Sequence, residues 1–227
     1  MSSGLAIKVK KTIYRTIRGL QPRMRFPPML PHLVTDARSH RDSVRYETIG
    51  LALATIEREN VRGAVAEVGV FRGMTSKFIH MCVPKRTLYL FDTFNGFPAS
   101  AMAENGVNNP GDEHRFRNTS VASVRKVVGS SPEIRIRSGV FPESAAGLEH
   151  DTFAFVMLDL DIYGPTLAAL EFFYPRLIIG GYLFVHDYNS PESGDAMRRA
   201  LGEFLVDKPE KLVEIPDEWG SAVFRKI

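Results

Sequence analysis

The chain has 227 residues, 44% apolar and 24% charged, the make-up of an ordinary globular protein, which excludes disordered, collagen-like and fibrous classes. One cysteine, Cys82, excludes a disulfide framework and a cysteine-based zinc site and points to a reduced, cytoplasmic setting. The net charge is +3, but residues 1–35 hold seven basic residues and no acid, which leaves 22 basic against 26 acidic residues elsewhere.

In chain order, the basic segment comes first. Leu5, Val9, Ile13, Ile17 and Leu20 recur at three- and four-residue spacing beside Lys8, Lys11, Arg15 and Arg18, which predicts an amphipathic helix over residues 5–20. Such a helix touches a membrane surface or a partner, or packs its stripe on its own domain or on a second subunit. Packing is the favoured reading, and with it a homo-oligomer. A mitochondrial presequence is a third reading, since the stretch is basic and acid-poor. Prolines 22, 27, 28 and 31 oppose helix and favour an extended linker, so residues 1–42 are read as an appendage. No run reaches the ~18 apolar residues that span a membrane, and no stretch reads as a signal peptide.

Residues 43–227 read as one domain in which helix and strand patterns alternate. Residues 43–59 predict a helix, GAVAEVGV a strand, Thr75–Cys82 a helix and RTLYLFDTF a second strand. The polar 98–117 stretch is long for a connection and is read as an acceptor lid or an insertion. Asn118 or Thr119 can cap a helix that runs to Val128. EIRIRSG and FAFVMLDLD are the third and fourth strands, Pro165–Phe173 a helix, YLFVHDY the fifth strand and 191–206 a helix. KLVEIP and SAVFRKI flank a turn at DEWG, the pattern of a hairpin. The expected fold is therefore α/β: a doubly wound, mostly parallel, Rossmann-like sheet with an antiparallel C-terminal hairpin.

In such sheets ligands bind beyond the carboxyl ends of the strands. Strand one is followed by Glu67, Gly69, Arg72, Gly73 and Thr75, an E-x-G-x-x-x-G pattern and not the dinucleotide fingerprint. Gly69 permits a tight turn, and Gly73 permits a ligand to approach a helix start. Thr75 and the helix-terminal N–H groups suit a carboxylate tail, and Glu67 its ammonium. Asp92 ends strand two, where an acid accepts from ribose hydroxyls or caps a helix. Together these residues make S-adenosylmethionine (SAM) the best ligand, with Ser138 and Gly139 near its adenine. Tyr46, Phe94 and Phe97 line a pocket or belong to the core. Strand four ends in Asp159 and Asp161, and strand five in His186 and Asp187. Carboxylates from two strands, with an imidazole, suit magnesium, which lowers the pKa of a hydroxyl and orients it for methyl transfer. Loop capping and salt bridging are the alternative for these acids, and a structural donor the alternative for His186. The body shows no zinc-finger spacing and no basic stripe with aromatics, so nucleic acid is not an expected partner.

The segments AVAEVGVFRGMTS, FDTFNGFP, FRNTSVASVRKVV, RSGVFPES, MLDLDIYGPTLAALEFFYPRL and GGYLFVHDYNSP resemble, in order, those of the macrocin O-methyltransferase family of class I SAM-dependent enzymes. The resemblance covers roughly residues 43–206 and implies magnesium-assisted methylation of hydroxyls on sugars of small molecules in secondary metabolism. It implies that Asp159, His186 and Asp187 ligate the metal and that Arg72 is the motif arginine. The family usually has two adjacent acids where this chain has His186 and Asp187. Some related enzymes place a base where this chain has Ile162, which leaves Asp159, Asp161 and His186 as candidate bases. Two other readings stand beside this one: a metal-independent methyltransferase with His186 as base, and a non-catalytic SAM-binding protein that acts through its basic helix.

Overall fold

The computed structural model describes residues 29–98 and 114–227. The expected basic helix and most of the 98–117 stretch lie outside the described residues. Seven strands form one sheet: β1 Ala64–Val68, β2 Leu88–Asp92, β3 Ile134–Ser138, β4 Phe153–Leu158, β5 Leu177–Val185, β6 Val213–Ile215 and β7 Ser221–Arg225. Their order is β3-β2-β1-β4-β5-β7-β6. Strands β1 to β5 are parallel, and β7 runs antiparallel to both β5 and β6, as the alternating pattern and the closing hairpin predict.

Six helices accompany the sheet among the described residues: α1 Pro31–Ser39, α2 Ser43–Arg58, α3 Met74–Cys82, α4 Val121–Val128, α5 Tyr163–Phe173 and α6 Ala196–Phe204. Helix α4 starts one residue beyond the expected caps. Ser120 accepts from the Ser123 amide at 3.1 Å, and Ser123 Oγ accepts from the Ser120 amide at 2.9 Å, a reciprocal cap. Thr119 instead donates its hydroxyl to the Phe71 carbonyl and ties the first site loop to this helix. Helix α6 is shorter than the predicted 191–206 span.

The expected extended linker through residue 42 is not what forms at Pro31–Ser39. Pro31 stands at the start of α1, where its missing N–H costs no helical hydrogen bond and its fixed φ is already helical. Leu33, Val34 and Ala37 are buried, so this helix belongs to the folded body.

Apolar side chains cover both faces of the sheet. On one face Ile49, Leu53 and Ile56 of α2, Phe78 and Ile79 of α3 and Val124 of α4 pack on Val65, Leu88, Phe155 and Phe184. On the other, Ala169, Leu170 and Phe173 of α5 and Met197 and Leu201 of α6 pack on Ala66, Phe91, Val156 and Phe224. Strand β4 lies mid-sheet and is buried along its whole length, which is why it reads as an unbroken apolar run.

Parallel strands bring their carboxyl ends to one rim, and the hydrogen-bond ladder continues one residue past them. Gly69 donates to Phe91 O at 2.9 Å, Asp159 to Val68 O at 2.8 Å and His186 to Leu158 O at 2.8 Å. The site residues that follow the strands are thus placed by the sheet itself. Because β7 is antiparallel, with Ala222 opposite Val185, the turn that precedes it reaches the same rim. At Gly69, φ is +89° and an added Cβ would lie 1.8 Å from the Asp159 carbonyl oxygen. Gly69→Ala should therefore push β1 and β4 apart where the site is built. We expect it to cost at least about 2 kcal/mol of stability, read as a lower urea midpoint at unchanged slope.

Candidate active site

One cavity of about 550 Å3 runs along this rim. Its walls carry Glu67, Gly69 and Arg72 from the β1 loop, Thr75, Asp92, Gly139 to Phe141 after β3, Asp159 and Asp161 after β4, His186 and Asp187 after β5, and Arg45, Tyr46 and Trp219. Most of the residues singled out in the sequence thus meet around one space. Ser138 and Gly73 do not line it. Ser138 is exposed. The space a Gly73 side chain would take is bounded by Val124 and Val128 at 3.1 Å, and its N–H serves the Val70 carbonyl. Gly73, with φ +78°, thus leaves room for α4. Phe97 lines the cavity, whereas Phe94 packs against the core.

The β1 loop is held from below. Asp92 Oδ2 accepts from the Val70 and Phe71 amides, each at 2.8 Å, and Oδ1 from the Phe94 amide at 2.7 Å. Backbone groups thus draw on both oxygens of the acid expected to meet a ribose. Glu67 is buried, and the Ser76 hydroxyl donates to it. Burial outweighs that bond and pushes the Glu67 pKa up to about 8. Tyr46 OH lies 3.4 Å from Thr75 Oγ1 and its ring stacks on His40 at 3.6 Å.

At the β4–β5 end, His186 is the hub. Its Nδ1 lies 3.1 Å from Asp159 Oδ1 and 3.1 Å from Asp187 Oδ2. Its Nε2 lies 2.8 Å from Nη1 of Arg45, which also stands 3.7 Å from Asp159 Oδ2. Burial disfavours the imidazolium, while the Asp159 and Asp187 carboxylates favour it and pull the pKa up to about 10. The Arg45 contact argues the other way. A guanidinium has only donors, so a 2.8 Å approach is a hydrogen bond only when Nε2 carries a lone pair. An imidazolium would set N–H against N–H between two cations. With Nε2 accepting from Arg45, a proton on Nδ1 would point to Asp159 Oδ1 at 3.1 Å.

Burial, with the neighbouring carboxylates, raises the Asp161 pKa well above the usual range. Burial also works against the charge on Asp187, but hydrogen bonds from His186 and Asp161 hold its pKa low. Ser193 Oγ lies 3.3 Å from Asp161 Oδ1. Among the described residues six non-glycines have positive φ, and four of them, Phe71, Phe116, Asp161 and Asp187, line the cavity. Backbone strain gathered at one cavity is a signature of a functional site.

Arg45 and Trp219 are among the wall residues not singled out in the sequence. Arg45 sits in the first turn of α2, where a cation opposes the helix dipole; that mismatch was its available signal. Trp219, the one tryptophan of the chain, comes from the β6–β7 turn. The adjacent Gly220 holds that turn down by accepting from the Asn189 amide at 3.0 Å.

The fold is a Rossmann-like α/β sheet with one cavity at its carboxyl rim. The family model described as macrocin-O-methyltransferase (TylF) matches residues 37–219, and the chain belongs to that family of O-methyltransferases. Mycinamicin III 3''-O-methyltransferase of Micromonospora griseorubida is 29% identical over 161 residues, 65% of this chain and 62% of that protein. The 8-demethyl-8-(2,3-dimethoxy-alpha-L-rhamnosyl)-tetracenomycin-C 4'-O-methyltransferase of Streptomyces olivaceus is 24% identical over 192 residues, 79% of this chain and 72% of that one. The solved structure of the O-methyltransferase NovP superposes with a TM-score of 0.64 at 25% identity, covering 81% of this chain and 80% of that one. The calicheamicin methyltransferase CalS11 shares the fold, with a TM-score of 0.65 at 22% identity over 95% of this chain and 91% of that one. Among the described residues, no helix is long and apolar enough to cross a membrane.

Glu67 makes stability depend on pH. Its ordinary pKa is 4.5 and its folded value about 8, so between these the unfolded chain releases a proton that the folded one keeps. Stability therefore falls as pH rises through that window and levels off above it. Wild type should lose on the order of a few kcal/mol relative to Glu67→Gln between pH 5 and pH 8, read from denaturant melts of both proteins at each pH. Parallel pH profiles would contradict this.

Proposed function

We propose that this chain transfers a methyl group from SAM to a hydroxyl of a sugar carried on a small molecule. One observation carries the reading. A family match over residues 37–219 coincides with a single cavity that joins the β1–β3 loops to the acids after β4 and β5. The Streptomyces olivaceus relative is named for a rhamnosyl-bearing tetracenomycin, and Trp219 offers a flat apolar wall beside the acid cluster for such an acceptor. A cytoplasmic enzyme accords with the lone cysteine.

SAM, when bound, supplies an electrophilic methyl group. Gly69, Arg72, Thr75 and Gly139 would surround it, Glu67 would meet its ammonium, and Asp92 would shape the loop over its ribose. At the other end the protein has to orient the acceptor hydroxyl and take its proton. Both nitrogens of His186 are engaged, so His186 is not the base in this reading. Asp159, a quarter exposed and on the cavity wall, takes that role, with His186 and Arg45 holding it in place. Asp161 lies beside it, its pKa raised by burial.

The test has two parts. With methyl-labelled SAM and a panel of deoxysugar-bearing small molecules, the labelled methyl should appear on a sugar oxygen by mass spectrometry. Calorimetry of S-adenosylhomocysteine at pH 7 should show proton release. Glu67 carries its proton at that pH in the ligand-free protein, and a neighbouring ammonium favours its ionised form. The measured heat should therefore vary with the ionisation enthalpy of the buffer, and Glu67→Gln should abolish the variation. Binding with buffer-independent heat would remove Glu67 from the donor site, and no binding would overturn the reading.

A further inference from the structure

Trp219 has no place in the interior. Among the described residues it packs in neither of the two apolar cores. It is half-buried on the β6–β7 turn, where small and polar residues are the rule. Yet that turn is pinned from three sides. From within, Asp217 Oδ1 accepts from the Ser221 amide at 2.6 Å and Oδ2 from the Ser221 hydroxyl at 2.5 Å. From the start of α2, Asp42 accepts from the Glu218 amide at 3.3 Å, and Arg41 pairs with the Glu218 carboxylate. From the end of β5, Asn189 donates its amide to the Gly220 carbonyl at 3.0 Å and its side-chain N–H to Glu214 at 3.0 Å. The approach there is close: a Cβ added to Gly220 would stand 2.6 Å from the Asn189 Cβ. A tryptophan is thus held in a fixed place without filling a core, and that place is the cavity wall.

That wall belongs to the acceptor end. A carboxylate oxygen of Asp217, two residues before Trp219, lies within 4.8 Å of a ring nitrogen of His186. Asn189, which anchors Gly220, comes two residues after Asp187. Asp159, His186 and Asp187 bring their own ligand atoms within 4.8 Å of one another, donors of the kind a divalent ion takes. Such groups recognise a hydroxyl but not the ring that carries it. A pyranose has hydroxyls at its rim and C–H bonds on its face, and those weakly positive hydrogens lie well on the negative face of an indole. Resting on the methyltransferase reading above, we propose that Trp219 is a specificity-determining residue of the acceptor site: its indole stacks on the C–H face of the sugar while the hydroxyl to be methylated turns to Asp159. The class it favours is a deoxysugar, in which a missing hydroxyl enlarges the apolar part of the ring. A tryptophan offers this contact area with only two side-chain torsions to fix, and the three anchors of the turn fix the backbone beneath it.

The chain has one tryptophan, so its emission reports on Trp219 alone. The experiment titrates the full chain with S-adenosylhomocysteine and then, at saturation, with the methyl glycosides of L-rhamnose and L-fucose. Their counterparts that keep the hydroxyl, the methyl glycosides of L-mannose and L-galactose, are titrated in parallel. A deoxysugar glycoside should change the emission saturably, and its hydroxylated counterpart should bind several-fold more weakly. By calorimetry Trp219→Ala should bind the same deoxysugar glycoside roughly tenfold more weakly than wild type, and Trp219→Phe should recover most of the loss. Trp219→Leu, which keeps apolar bulk without a π face, is the second variant should the alanine protein fail to fold. S-adenosylhomocysteine binding reports on folding in every variant. Its absence in wild type would count against the methyltransferase reading, whatever the glycosides do. Wild type that binds S-adenosylhomocysteine but shows no saturable change with any of the four glycosides would overturn the inference. Equal glycoside affinity in wild type and in folded Trp219→Ala or Trp219→Leu would overturn it as well, and equal affinity for deoxysugar and counterpart would overturn the choice of class.

Discussion

A 2.8 Å contact between Arg45 and His186 joins parts of the fold that are otherwise independent. It ties the start of α2, which packs on one face of the sheet, to the carboxyl ends of β4 and β5. Through Asp42 it reaches the β6–β7 turn that carries Trp219. The same contact favours a bare Nε2 on His186, which turns the other ring nitrogen to Asp159. A buried row of charges of this kind is weak as a source of stability, since desolvation offsets much of the Coulombic gain. Its consequence is geometric: four elements are held in one register around the acceptor end of the cavity.

The cavity is where the molecule gives up stability. Glu67 is buried, and among the described residues its hydrogen-bond partner is the Ser76 hydroxyl. Asp42 Oδ2 and Arg45 Nε face each other just beyond hydrogen-bond reach. Phe71, Asp161 and Asp187 hold left-handed backbone that side chains with a Cβ avoid. The remainder of the sheet shows the opposite economy, with β4 buried end to end and apolar helices on both faces. A rigid scaffold with a strained rim is the arrangement expected when bound ligands supply the missing partners.

Much of this was legible in the sequence, because strand periodicity and the order of elements are local properties. The runs around Ala64–Val68 and Phe153–Leu158 announce buried parallel strands, and DEWG between two strand patterns announces the hairpin. The rim residues followed from topology, since every parallel strand ends on the same side. What stayed hidden were reasons and partners. Gly69 is glycine because of the Asp159 carbonyl, a contact between strands 90 positions apart in sequence. Gly73 is glycine because α4 lies over it. Pro31 looked like a linker residue because a proline at a helix start and a proline in a linker are identical in sequence. Arg45 and His186 stand 141 residues apart, and no local pattern couples them. Trp219 reaches the rim only because β7 is antiparallel.

The state of His186 tests this account most directly. Selective 15N labelling of histidine, with proton–nitrogen correlation spectra of the intact chain near neutral pH, reads both ring nitrogens. The account predicts a neutral ring for His186, protonated at Nδ1 and bare at Nε2, which becomes disordered between tautomers or protonated when Arg45 is replaced by glutamine. A ring protonated on both nitrogens in the wild-type protein, unchanged by that substitution, would contradict it.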